Sequence, residues 1–193
     1  MIVDSDRIRE LGLEPADIIA VKGRGLFGSL AKAVFAPVTD RYHHALIWQR
    51  TYNDFIILES VSKGLAVGRL SMYGGQDVKF YRAVNLDLET RERACDELTG
   101  YGRAPYDWAL YARLLRNVVK AELNIIKSGH APRRLHAHEL PYREDGWLIC
   151  TEAVALAFRL VGWALVPDGV MALPSTIEQA RLDGLVRELE EDE

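Results

Sequence analysis

A chain of 193 residues, 49% hydrophobic and 27% charged, is long enough to bury one substantial core and has globular composition, which excludes the disordered and fibrous classes. A formal net charge of −4 and a pI near 5.8 provide no overall positive field for nucleic acid or an anionic membrane. No apolar run is long and uninterrupted enough to span a bilayer, so an integral membrane protein is not expected.

In chain order, Asp4 or Ser5 can cap a short helix that Gly12 and Pro15 end. The early residues hold three acids and no apolar core, so no secretory signal is expected. Asp17 to Lys22 reads as a buried strand, and Gly25 to Pro37 carries helical spacing at Leu26, Leu30, Ala33 and Val34. HHALIWQR and DFIILESV, separated by Thr51 to Asn53, predict a hairpin. GLAVGRL adds a short extended piece and Asp77 to Val84 another strand, so the middle third reads as an antiparallel meander. Leu88 to Thr99 and Asp107 to Lys127 turn helical, with GYGRAPYD between them. Gly129 to Asp145 is a long aperiodic loop with a lid as one possible role. A helix opening at Cys150, an apolar run from Trp163 to Val166, a helix from Ser175 to about Gly184 and an acidic tail over 186–193 complete the chain. There is no repeat or linker, so 1–193 is expected to form one α+β domain: an antiparallel sheet packed against helices.

Gly23, Gly25 and Gly28 spell GxGxxG between a predicted strand and a predicted helix, the context of a dinucleotide fingerprint. The following strand enters a tight hairpin instead of crossing back through a helix, and it ends in Gln49 and Arg50 with no acid to hold a ribose. A glycine-rich turn is the preferred reading, and no cofactor is expected.

Two cysteines, neither in a CxxC pair, form no disulfide framework. Cys95 lies in the charged segment RERACDEL and reads as structural. Cys150 lies on an apolar stripe with Val154, Ala157 and Val161, which suits a core residue. Its place at a helix start also suits a nucleophile, because free amides and the helix dipole favour a thiolate and can hold an oxyanion. A thiolate needs a base, and the base an orienting group. A turn centred near Thr51 and Tyr52 sets His44 opposite Glu59 on one sheet face, whereas alternation turns His43 to the other face. His44 is therefore the favoured base and Glu59 its partner. His130, His136 and His138 share the long loop without a fourth ligand, so a solvated loop is preferred over a metal site.

The succession ADII, a small helix with Ser29, YHHALI, LES, GRAPYD and WLICTEAV resembles the circularly permuted papain-like amidases of the NlpC superfamily, from Asp17 to about Val161. The resemblance implies a permuted papain-like fold and a cysteine hydrolase with Cys150, His44 and Glu59 as catalytic residues. It makes Tyr106 and Asp107 a positioning pair, and Trp147 can line a substrate groove. The implied substrate is an amide, with cell-wall peptides such as those of peptidoglycan as the class. A lipid acyl ester or thioester is the enzyme alternative, and a binding module without turnover the non-enzyme one. No metal is required. The absence of a visible signal suits a cytoplasmic enzyme, with phage-associated or other non-classical delivery also open.

Overall fold

The computed structural model describes residues 12–22, 39–102, 104–109, 112, 116 and 148–189. Strands β1 (Ile18–Lys22), β2 (Arg41–Arg50), β3 (Phe55–Val61), β4 (Gly64–Arg69), β5 (Val78–Ala83) and β6 (Val186–Glu188) form one sheet in the order β4-β3-β2-β1-β5-β6. Every neighbouring pair is antiparallel. Helices α1 (Leu88–Thr99), α2 (Cys150–Leu160) and α3 (Ser175–Leu182) complete an α+β architecture.

The strands read as nearly continuous apolar runs because both sheet faces are buried. Ile18, Ala20, Leu46, Leu58 and Tyr81 point to the side of α1 and α2, where Ala94, Cys95, Leu98, Val154 and Phe158 meet them. Ile19, Val21, Ala45, Ile47, Ile57 and Phe80 build a second apolar cluster on the opposite face. Helix α1 starts where Asp87, in extended backbone, accepts the Thr90 amide at 2.7 Å, the usual solution for an unfilled helix N-terminus. Its residue Asp96 ties back to β2 by accepting from Trp48 Nε1 at 2.9 Å.

Helix α2 is apolar on nearly every side because it is enclosed: every residue from Cys150 to Phe158 is buried, and the helix packs on β2 and α1. Its first turn is held by Glu152, whose carboxylate accepts the Ile149 amide at 3.0 Å. Ile149 has no side-chain acceptor to return the bond, so only half of a capping box exists.

Three expectations are corrected. The meander covers β2, β3 and β4 only; β5 crosses over to pair with β1, leaving β4 as a sheet edge. The hairpin turn runs one residue longer than Thr51 to Asn53, closing with the Thr51 amide on the Asp54 carbonyl at 2.8 Å. The acidic tail is not wholly solvated: Val186 is buried, and Val186–Glu188 form an edge strand with Ala83 opposite Val186 and Tyr81 opposite Glu188. An apolar residue at 186 and an open edge on β5 outweigh the polar composition of the segment.

β1 and β2 are antiparallel neighbours, which removes the parallel crossover that a dinucleotide fold requires. The glycines Gly23, Gly25 and Gly28, the expected helices before residue 12 and over 25–37, and most of that over 107–127 lie outside the described residues. So do the 129–145 loop with its three histidines, and Trp147. Among the described residues no helix is long and apolar enough to cross a membrane.

Candidate active site

The register of β2 on β3 decides which histidine meets the carboxylate. Ala45, not His44, stands opposite Glu59, with Leu46 opposite Leu58 and Ile47 opposite Ile57; the pairing then slips, so that Gln49 faces Ile56. Trp48 is the extra residue of this bulge. Because side chains alternate, His43 shares the face of Ala45 and Glu59, while His44 points to the opposite face with Leu46.

His43 Nε2 donates to Glu59 Oε2 at 3.0 Å. The phenol of Tyr73, on the short 3-10 turn Leu70–Tyr73 after β4, reaches both partners: its oxygen lies 2.6 Å from His43 Nε2 and its hydroxyl donates to Glu59 Oε2. The His43 and Tyr73 rings also stack, with centroids 5.5 Å apart. The three groups bind one another.

Across the strand, Cys150 opens α2 and is 4% exposed. Its Sγ lies 3.5 Å from the Tyr42 carbonyl, 3.9 Å from His44 Nδ1 and 3.9 Å from Thr151 Oγ1. His44 is fully buried, its Nδ1 is 3.3 Å from Thr151 Oγ1, and its Nε2 has no hydrogen-bond partner among the described residues. The cysteine thus lies against His44, while His43, the next residue on β2, turns to Glu59 on the opposite face.

The electrostatics follow from these contacts. Burial pushes the Cys150 thiol up, but hydrogen bonding to His43 and His44 and their charges outweigh it and hold the group well below the ordinary thiol value. Burial lowers His43; its hydrogen bonds and charge interactions with Cys150 and Glu59 prevail and push it up to about 9. Glu59 is raised by burial but lowered overall by the bonds from His43 and Tyr73. Burial and the Glu59 charge push the Tyr73 phenol far above its ordinary value, so Tyr73 remains a proton donor. Side by side these describe a thiolate, an imidazolium, a carboxylate and a neutral phenol.

The Tyr106 and Asp107 segment reaches the same region. Ala104 accepts the Leu65 amide at the start of β4 at 2.9 Å, and Pro105 accepts the Leu148 amide just before α2 at 3.0 Å. Ser60 on β3 fixes the same approach by donating to the Leu148 carbonyl at 2.7 Å. Asp107 is buried, and the Tyr106 ring lies against Trp108, itself 44% exposed, with centroids 4.9 Å apart.

Of the residues singled out in the sequence, Cys150, His44 and Glu59 all border this centre, but Glu59 joins His43 rather than His44. Sequence reasoning set His43 aside in favour of His44, and it missed Tyr73. The adjacent histidines were visible; a correct turn length and the bulge at Trp48 were needed to choose between them. Tyr73 sits in a turn whose pattern carries no signal. Cys95 is structural as expected: it is fully buried, contacts the Ile47 carbonyl at 3.2 Å, and burial pushes its thiol up to about 12.

No family model matches the chain, and no curated protein matches it. Among solved structures it is similar to a crystal structure described as the metalloprotein yiiX from Escherichia coli O157:H7, of the DUF1105 group. The TM-score is 0.55 at 13% identity, over 93% of this chain and 98% of that one. At that identity the likeness shows the fold alone.

Proposed function

We propose that this chain is a cysteine hydrolase that cleaves an amide bond through an acyl-enzyme. Cys150 is the nucleophile and His43 the general base and acid; Glu59 and Tyr73 hold the imidazole. The observation that carries the reading is the His43 ring, bound to Glu59 at 3.0 Å through Nε2 and next in sequence to His44, whose Nδ1 lies 3.9 Å from Cys150 Sγ. With Nε2 committed, Nδ1 is the nitrogen left for the sulfur.

Chemically, His43 holds the proton given up by the Cys150 thiol, and the thiolate adds to the substrate carbonyl carbon. First-turn amides of α2, which have no intrahelical acceptor, can take the developing oxyanion. Collapse breaks the carbonyl–nitrogen bond, the imidazolium proton passes to the leaving amine, and a thioester remains on Cys150. Water then adds as His43 takes its proton; the carbon–sulfur bond breaks, the acid leaves, and the thiol is restored.

The chain order of histidine strand, carboxylate strand and cysteine helix supports a circularly permuted papain-like relationship to the NlpC superfamily. Cell-wall peptide is the substrate class that this relationship favours, with a lipid acyl ester or thioester as the alternative. The similar protein from Escherichia coli O157:H7 is described as a metalloprotein. Among the described residues of this chain no group of three or more His, Cys, Asp or Glu side chains is arranged to hold a metal ion.

Incubation with p-nitrophenyl acetate, followed by intact-mass and peptide mass spectrometry, tests the reading. Acetylation of Cys150 that hydroxylamine reverses, and that is lost in Cys150→Ser and His43→Ala, is expected. A folded protein that never acylates at Cys150 would overturn the proposal.

A further inference from the structure

A glycine in the sheet bears on the same site. Gly68 pairs with Ile57 in the register where Ala66 pairs with Glu59, so Gly68 and Glu59 are diagonal neighbours on one face. Its φ is not positive, so the backbone does not call for glycine there, and a glycine within a strand weakens it. A Cβ at position 68 would stand 2.6 Å from Glu59 Oε1 and 3.2 Å from Ile57 Cγ1. The second contact is relieved by a small shift. The first is relieved only by moving the carboxylate, whose other oxygen is held by His43 and Tyr73.

We infer that Gly68 is a positioning residue: the space left by its missing side chain is the socket that seats the Glu59 carboxylate against His43. The inference rests on the proposed role of His43 and Glu59. The end of the Glu59 side chain is the part free to move, so an alanine at 68 would turn the carboxylate off His43 while the strand pairing persists. The effect would then fall on the chemistry of the site rather than on folding.

The test is a double-mutant cycle read by the rate of Cys150 alkylation by iodoacetamide at a pH below the wild-type midpoint of labelling, with thermal melts alongside. Gly68→Ala is expected to slow labelling about tenfold, the effect of one unit in the thiol pKa. In a Glu59→Ala background the same change should add nothing, and Gly68→Ala with Glu59→Asp, whose shorter side chain clears the new methyl, should recover part of the rate. If Glu59→Ala leaves labelling unchanged, the carboxylate has no role and the reading of the triad fails. If Glu59→Ala slows labelling and Gly68→Ala does not, the socket alone is refuted. An equal loss from Gly68→Ala in both backgrounds would make the glycine a requirement of strand packing and overturn the inference. Should Gly68→Ala not fold, rescue of folding by Glu59→Ala supports the socket, and its failure refutes it.

Discussion

His43 Nε2 lies 3.0 Å from Glu59 Oε2 although Ala45, not His43, faces Glu59 directly across the β2–β3 pair. The bond is therefore diagonal, spanned by two long side chains on one face of the sheet. It places the orienting carboxylate away from α2, while His44 turns toward Thr151 on that helix. Two neighbouring histidines thereby acquire separate environments and separate expected roles.

A thiol held low and a His43 pushed up to about 9 predict a charged pair that persists across neutral pH. Cys150 alkylation by iodoacetamide should stay fast below pH 7, while Cys95, pushed up to about 12, should resist labelling in the folded protein. Below the wild-type midpoint of labelling, His43→Ala should slow Cys150 labelling by roughly a hundredfold, two units in thiol pKa. His44→Leu should slow it less, since that ring has no carboxylate partner among the described residues. A reversed order would transfer the base to His44.

Histidine resonances followed by NMR across pH should show His43 titrating near 9 in the wild type. Burial opposes this value and the interaction with Cys150 is the largest factor raising it, so Cys150→Ser should move the midpoint down. The pair should also leave little mark on stability between pH 6.5 and 9, the ordinary values of the two groups. In that window the folded pair carries its single proton on His43, and the unfolded chain carries it on Cys150. A steep change in the wild-type melting temperature confined to that window would contradict the ion pair.

Glu59 is lowered below its ordinary value of 4.5, so its share of stability is present above that pH and is lost as pH falls through the folded value. Denaturant unfolding should show the wild type losing stability on acidification below pH 4.5, and Glu59→Gln losing less. Parallel curves for the two proteins would mean that the carboxylate gains nothing from its partners.

Tyr73→Phe removes a hydroxyl bonded to both His43 and Glu59 while keeping the stacked ring. The loss of stability should be about 1–3 kcal/mol by chemical denaturation, because a mostly buried carboxylate loses a donor. Cys150 labelling near neutral pH should also slow. Unchanged labelling with lowered stability would confine Tyr73 to a structural role.

Asp17 at the head of β1 is fully buried and accepts from Arg82 Nε at 2.7 Å and Nη2 at 2.6 Å. Breaking this pair with Arg82→Ala should cost about 3–5 kcal/mol, since a buried carboxylate is left short of its partner. Lys79→Ala, which opens the half-exposed pair with Glu188, should cost less than about 1 kcal/mol. Urea unfolding of the two variants separates them, and similar losses would contradict the difference in burial.

Much of this protein was legible in its sequence. Apolar runs broken by Gly, Pro, Asn and Asp marked β1, the β2–β3 hairpin and β5, and the turn to a helical pattern at Leu88 marked α1 at its observed limits, Leu88–Thr99. These are local signals, set by side-chain period and by turn and cap chemistry within a few residues. The position of Cys150 at a helix start was legible for the same reason. The pairing of β5 with β1, the strand formed by Val186–Glu188 and the identity of the histidine at Glu59 were decided only by the tertiary structure. A strand's partner depends on which edge remains open after the others have packed, and that information is not local. The histidine depended on one extra residue at Trp48: with period two, a slip of one position exchanges the faces of His43 and His44 while leaving the apolar pattern of the strand intact.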